Sequence, residues 1–250
     1  MKLKKMTNKS TALDKRWYDD ACGTALGLEL VGERWSLLIV RELMFGGRRF
    51  SELRGSLPGI SANILTMRLE GLERVGIVQR RMLPPPASVQ IYELTPWGYE
   101  AEVVLRELGR WATRSPLHDP TLPLSTASLL MSFRTMYSAK RAKGNAATIG
   151  FRFGRDGFVI DFGPEGVRPR RADPEGSALT VAATPMSLAS LVYGGRQVAD
   201  AEAKGELTLT GNRQLFDRFV TWFPLPQKIG SSAADALDRK TKRENRTKIC

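Results

Sequence analysis

The chain has 250 residues, 42% of them hydrophobic and 26% charged, with a formal net charge of +12. This is the composition of a globular protein long enough for two domains, and Glu29, Glu33, Arg34, Arg41 and Glu42 interrupt the apolar stretch 26–45, which excludes a membrane span. The basic start MKLKKMTNKS has no apolar run behind it, so no secretory signal is expected, and two cysteines, Cys22 and Cys250, make no disulfide scaffold and suit a cytoplasmic protein.

The charge is unevenly placed: +5 in residues 1–16, zero in 17–114, +3 in 115–226 and +4 in 227–250. The first and last of these segments are polar, basic and without period, and are expected to be disordered arms. Between Arg16 and Arg134 every basic residue is arginine, whose planar fork suits phosphate and guanine.

A helix from about Leu13 to Ala25 is predicted to lead into a second over 26–45, ended by Gly46-Gly47. Phe50-Ser51-Glu52-Leu53 opens a short helix and Pro58-Gly59 a turn. Ser61 then caps a helix to Val75 whose Leu65, Leu69 and Leu72 recur on one face. After Gly76, strands over 77–82 and 89–94 flank Pro84-Pro85-Pro86-Ala87, a hairpin tip because proline cannot donate to a ladder. This is the order of a helix-turn-helix with a β wing, a design that grips duplex DNA. Thr95 caps a further helix with Ala101, Val104, Leu105, Leu108 and Trp111 on one stripe.

Residues 115–124 form a proline-punctuated linker, and helical periodicity returns over 125–137. Strands are predicted at 147–153, 157–162 and 178–183, with a possible fourth in 163–172. A helix over 185–192, a strand over 205–210 and a helix over 212–222 follow. The fold class is therefore α+β: a winged helix-turn-helix domain over 17–114, then a second α+β domain over 125–226.

Little in the chain suits catalysis. His118 is the single histidine, and the sequence shows no phosphate-binding glycine loop, HExxH, CxxC or serine elbow, so no catalytic residue, metal or cofactor is expected. DNA reading has better candidates. Ser61, Asn63, Thr66 and Arg68 lie on the helix face opposite the leucines, where Asn and Arg match adenine and guanine edges; Met67 is either core or a thymine-methyl contact. Arg48, Arg49 and Ser51 around the first helix, and Arg80, Arg81, Ser88 and Gln90 of the wing, are candidates for phosphate or minor-groove contacts. Strand alternation sends Arg80 and Arg81 to opposite faces. The run Arg168-Pro169-Arg170-Arg171 reads as a solvated strand edge or as a further DNA contact.

Cys22, Gly32-Glu33-Arg34-Trp35, Leu38-Ile39, Arg49-Phe50-Ser51-Glu52-Leu53, Gly59-Ile60-Ser61, Leu65, Leu69, Leu72-Glu73, Gly76-Ile77-Val78, Arg80, Tyr92-Glu93-Leu94-Thr95, Gly98 and Trp111 stand in a fixed order over roughly 17–113. That series resembles the HxlR-type transcriptional regulators, winged-helix relatives of the MarR superfamily. The resemblance implies a cytoplasmic homodimeric regulator, most simply a repressor, bound to a palindromic double-stranded operator. It also implies that the helix after the wing joins the N-terminal segment in the dimer interface, with Leu105, Leu108 and Trp111 as candidates. Cys22 falls at the sensor position of redox-responsive members, although Gly23 follows it where the family usually has proline. The other reading of Cys22 is a buried small hydrophobe, and Asp19 and Asp20 nearby would raise its pKa.

The segment Ala203-Lys204-Gly205-Glu206-Leu207-Thr208-Leu209-Thr210-Gly211-Asn212, followed by Leu215-Phe216 and Phe219, resembles the end of a sterol-carrier-protein-2-like domain, over roughly 125–224. Such domains enclose an apolar tunnel, which implies an apolar small-molecule effector. Two other functions fit the same residues: an apolar-ligand carrier whose winged helix is an interaction module, and a constitutive DNA-binding protein whose second domain is architectural.

Overall fold

A computed structural model describes residues 18–230 of the chain. The basic segment 1–16, the tail from 231 onward with Cys250, and the first part of the helix expected from Leu13 lie outside the described residues. No helix among the described residues is long and apolar enough to cross a membrane.

The first two helices are shorter than the periodicity predicts. Helix α1 spans Gly23–Val31 and α2 spans Ser36–Leu43. Asp20 Oδ1 accepts from the Cys22 amide at 2.8 Å, a local turn that competes with helix before α1. The continuous helix expected over 26–45 is broken at Gly32–Trp35, where Trp35 takes a left-handed φ of 82°. A Cβ at Gly32 would lie 2.3 Å from the Leu28 carbonyl oxygen, so the break needs glycine.

Helix α3 (Phe50–Ser56), a turn through Gly59 (φ 88°) and α4 (Ala62–Arg74) follow as expected. The Ser61 hydroxyl caps α4 by accepting from Ile64 N at 3.2 Å, and Leu65, Leu69 and Leu72 are buried. Strands β1 (Val78–Met82) and β2 (Gln90–Leu94) form the wing, with Arg80 opposite Tyr92 and Arg81 opposite Ile91. Arg48 adds a third short rung through paired 2.8 Å bonds with Tyr92. Thr95 then caps α5 (Pro96–Glu100), and α6 runs Glu102–Thr113. Gly98 packs so tightly under the wing that a Cβ would stand 2.2 Å from Ile77 O.

The second half contains α7 (Thr126–Met136), β3 (Ala147–Phe153), β4 (Asp156–Gly163), β5 (Gly166–Arg171), β6 (Leu179–Ala183), α8 (Pro185–Val192), α9 (Val198–Ala203), β7 (Leu207–Gly211) and α10 (Arg213–Phe219). The possible fourth strand is β5. The sequence reading missed α9, six residues with a single buried side chain, Ala201, and no side-chain cap. The sheet order is β5-β4-β3-β6-β7, antiparallel except where β3 meets β6. Helices cover its apolar face through a cluster of rings: Phe133 stands 5.5 Å from Phe219 and 4.7 Å from Phe223, and Phe162 is 5.5 Å from Trp222.

One apolar cluster runs from Ile39 to Phe223, because α7 packs against both α2 and α6. Polar contacts bolt the same junction. The buried Glu42 carboxylate accepts from Ser125 Oγ at 2.7 Å, and Arg171 Nε donates to Phe45 O at 3.0 Å. Arg134 pairs with Glu102 while lying 5.2 Å over the Phe45 ring. The linker 115–124 thus crosses outside a shared interior, and the orientation of the winged helix is set by the second half.

Candidate nucleic-acid interface

Helix α4 turns its leucines inward and leaves Ser61, Asn63, Thr66 and Met67 exposed along the other side. Met67, at 51% exposure, is therefore not core. Asn63 and Thr66 make no side-chain hydrogen bond among the described residues, so both can meet base edges without breaking an existing contact.

Arg68 differs from its neighbours. Its Nη2 lies 2.7 Å from Glu33 Oε2 and its Nε donates to Arg34 O at 3.1 Å, so the guanidinium braces the α1–α2 turn against α4. Reading a base would require both contacts to break. The Glu33-Arg34-Trp35 turn is the feature that sequence reasoning did not connect to α4; periodicity within a helix cannot show a bond across 34 residues.

Arg48, expected as a DNA contact, is buried. It is 8% exposed, its backbone is paired with Tyr92, and its Nη1 faces Asp156 of β4 at 3.8 Å. Its guanidinium is thus turned toward the second half, away from the exposed Arg49. Arg49 and Ser51 are exposed at the start of α3, where the Arg49 amide donates to Glu52 Oε2 at 2.8 Å. Arg54, exposed near the end of α3, was passed over in the sequence; like Arg49, it has no acidic partner among the described residues.

In the wing, Arg80 and Arg81 do point to opposite faces. Arg80 pairs with Glu73 of α4 at 2.8 Å and lies 5.7 Å from the Tyr92 ring centre. Arg81 forks onto Glu93 with contacts of 2.8 to 2.9 Å. That fork, with a further bond from Gln79, holds the Glu93 carboxyl below its usual range, while Glu93 raises Arg81. Ser88 and Gln90 are exposed on the wing. Arg168, Arg170 and Arg171 of β5 face Glu165, Asp161 and Asp156, so this run is an ion-paired strand edge.

Cys22 is exposed, not a buried hydrophobe. Its thiol pKa is lowered, first by the Thr24 backbone amide, then by the Thr24 hydroxyl and the Ala25 amide, the open donors of a helix N-terminus. Asp20, expected to raise it, is occupied by the Cys22 amide. The α6 stripe divides: Leu105 packs into the core, whereas Leu108 is 44% and Trp111 71% exposed. Val103, Val104, Leu26 and Leu28 are also exposed apolar residues. Among the described residues no group of three or more His, Cys, Asp or Glu could hold a metal ion.

Residues 30–118 match the model of the HxlR-like helix-turn-helix family. The chain is 38% identical over 87 residues to the HTH-type transcriptional regulator YvaP of Bacillus subtilis, covering 34% of this chain and 80% of that protein. It is 41% identical over 83 residues to the HTH-type transcriptional regulator YodB of the same organism, covering 33% of this chain and 74% of that one. The reduced form of Bacillus subtilis YodB superposes with a TM-score of 0.36 at 35% identity, over 40% of this chain and all of that chain. The chain belongs to the HxlR-like helix-turn-helix family. Residues beyond 118 lie outside the family match.

Proposed function

We propose that this chain is a transcriptional regulator, a homodimeric repressor of the cytoplasm that binds a palindromic operator. The observation that carries the reading is the exposed face of α4, where Asn63, Thr66 and Met67 stand free beside the wing. Ser61, Asn63, Thr66 and Met67 are assigned to base edges, and Arg49, Ser51, Arg54, Arg80, Arg81, Ser88 and Gln90 to the backbone or minor groove. Arg68 contributes by holding α4 in place.

Dimerisation is assigned to the exposed apolar side of α6 with α1, through Leu108, Trp111 and Val104 facing Leu26 and Leu28. These side chains lie in water in the single chain, and apolar surface of that extent calls for a partner. Control is assigned either to the exposed thiol of Cys22 or to an apolar small molecule in the second half, which is read as sterol-carrier-protein-2-like from the 203–212 segment. Selection from a random duplex library tests the whole reading. Enrichment of two-fold symmetric sequences with half-sites one helical turn, or a small multiple, apart is expected; an enriched pool without symmetry argues against the dimer, and no enrichment against sequence reading.

A further inference from the structure

A cavity of about 390 Å³ opens between the end of α7, helix α8 and residues 118–124. That volume is within the ~300–1,000 Å³ of small-molecule sites. Its walls are mainly apolar, from Met136, Met186, Ala189 and Leu124. The aromatic cluster under the sheet does not line it, so this is a different space from the packed core.

The polar groups inside have a fixed sense. Ser132 Oγ donates to Leu129 O at 2.7 Å, and Tyr193 Oη is 2.9 Å from Ser132 Oγ. With the serine proton on the carbonyl, the tyrosine is the donor of this pair. The Tyr193 oxygen is left as an acceptor only. Burial keeps that phenol protonated far beyond its usual range.

Charge in the cavity is equally restrictive. No Lys or Arg lines it. Asp119 is occupied by the Thr121 amide and hydroxyl at 2.9 and 2.6 Å. His118 has its pKa lowered by burial and by Lys228, against a weaker opposing effect of Asp119, so it is neutral at pH 7. Lys228, the cation beside His118, donates to Ser115 O and His118 O at 2.8 and 3.3 Å, so a carboxylate or phosphate placed here would find no cation in the lining itself. Two large apolar side chains of the lining, Leu122 and Leu225, are 62% and 40% exposed, surface that an apolar occupant would cover.

We propose that this cavity binds an uncharged, largely apolar small molecule carrying one hydroxyl that donates to Tyr193 Oη, as an alkylphenol would. The site touches Thr113, the last residue of α6, and the segment joining the two halves, so an occupant contacts the elements that position the winged helix. An effect on operator affinity would rest on the DNA-binding reading; occupancy of the cavity does not.

Calorimetric titration of the full chain, without DNA, with 4-butylphenol, butylbenzene and 4-butylbenzoate tests the site. Binding of 4-butylphenol at one per chain is expected, with butylbenzene about fivefold to tenfold weaker for the missing hydrogen bond. The benzoate should be weaker than either. Tyr193→Phe should reduce the affinity for 4-butylphenol to that for butylbenzene. Leu122→Glu, at an exposed position that folding does not depend on, should weaken both neutral ligands and decides the matter if Tyr193→Phe fails to fold. No binding of any ligand, benzoate binding as tight as the phenol, or wild-type phenol affinity in both variants would overturn the proposal. Phenol binding by a chain with no affinity for any duplex would leave the site standing and remove the regulatory reading.

Discussion

Arg68 of α4 and Glu33 of the α1–α2 turn stand 2.7 Å apart, so the arginine that follows Met67 on the recognition helix is already committed to its own chain. The bond to Arg34 O makes the commitment two-pronged. Arg68→Ala and Glu33→Ala should each lower the melting temperature, with a coupling of about 0.2–1 kcal/mol in a double-mutant cycle, as for a surface pair whose arginine is half-buried and whose carboxylate is exposed. On DNA, Arg68→Ala should weaken all duplexes alike by loosening α4. Loss of sequence preference at an unchanged melting temperature would make Arg68 a base reader after all.

Arg48 and Arg49 are adjacent in sequence and opposite in role. Arg48→Ala should destabilise the fold by about 1–3 kcal/mol, since it removes a buried guanidinium from the junction and leaves Asp156 with Arg171 as its remaining partner. It should leave the salt dependence of DNA binding unchanged. Arg49→Ala should do the reverse: little change in stability, and a fall of about 0.9 in the slope of log affinity against log salt. Equal slopes in the two variants would erase the distinction.

Most of the winged helix was legible because its signals are local. Ser61, the leucine spacing, Gly76 and the proline tip each act within a few residues, and α4 and the two wing strands differ from expectation by a residue. The break at Gly32–Trp35 was missed although Gly32, Glu33 and Arg34 interrupt the apolar pattern there; a tryptophan gives no local signal for the left-handed φ of 82° that Trp35 adopts, partly buried against the core. The burial of Arg48 was hidden for a related reason. An arginine beside a helix-turn-helix looks like a phosphate contact until the second half is seen folded against it. Met67 and Cys22, each left between buried and exposed, could be settled only by the packing around them.

Cys22 should ionise more readily than a free cysteine. Donors at the start of α1 stabilise the thiolate, so its proton leaves at lower pH. In a Cys250→Ser background, the rate of iodoacetamide alkylation should rise with pH to a midpoint below that of a free thiol. Thr24→Val should move the midpoint upward by removing the hydroxyl donor. A midpoint equal to that of a model peptide in both proteins would show that the helix start has no influence.

The exposed Trp111 offers the sharpest probe of assembly. At 71% exposure, Trp111→Glu costs the single chain little, whereas in an apolar interface it buries a charge without a partner. Sedimentation should give a dimer for the wild type and a monomer for the variant, with unchanged circular dichroism. A wild-type monomer at micromolar concentration, or a variant dimer, would move the interface elsewhere.

The central claim, that α4 reads base sequence, is tested most directly by fluorescence anisotropy at one fixed salt concentration, comparing wild type with Asn63→Ala. The two duplexes are a sequence enriched by the wild type and a scramble of the same composition. Wild type should prefer the enriched duplex, and Asn63→Ala should lose about 1–3 kcal/mol on it while binding the scramble almost unchanged. Equal losses on both duplexes, or no loss on either, would contradict the assignment of α4 as the helix that reads DNA.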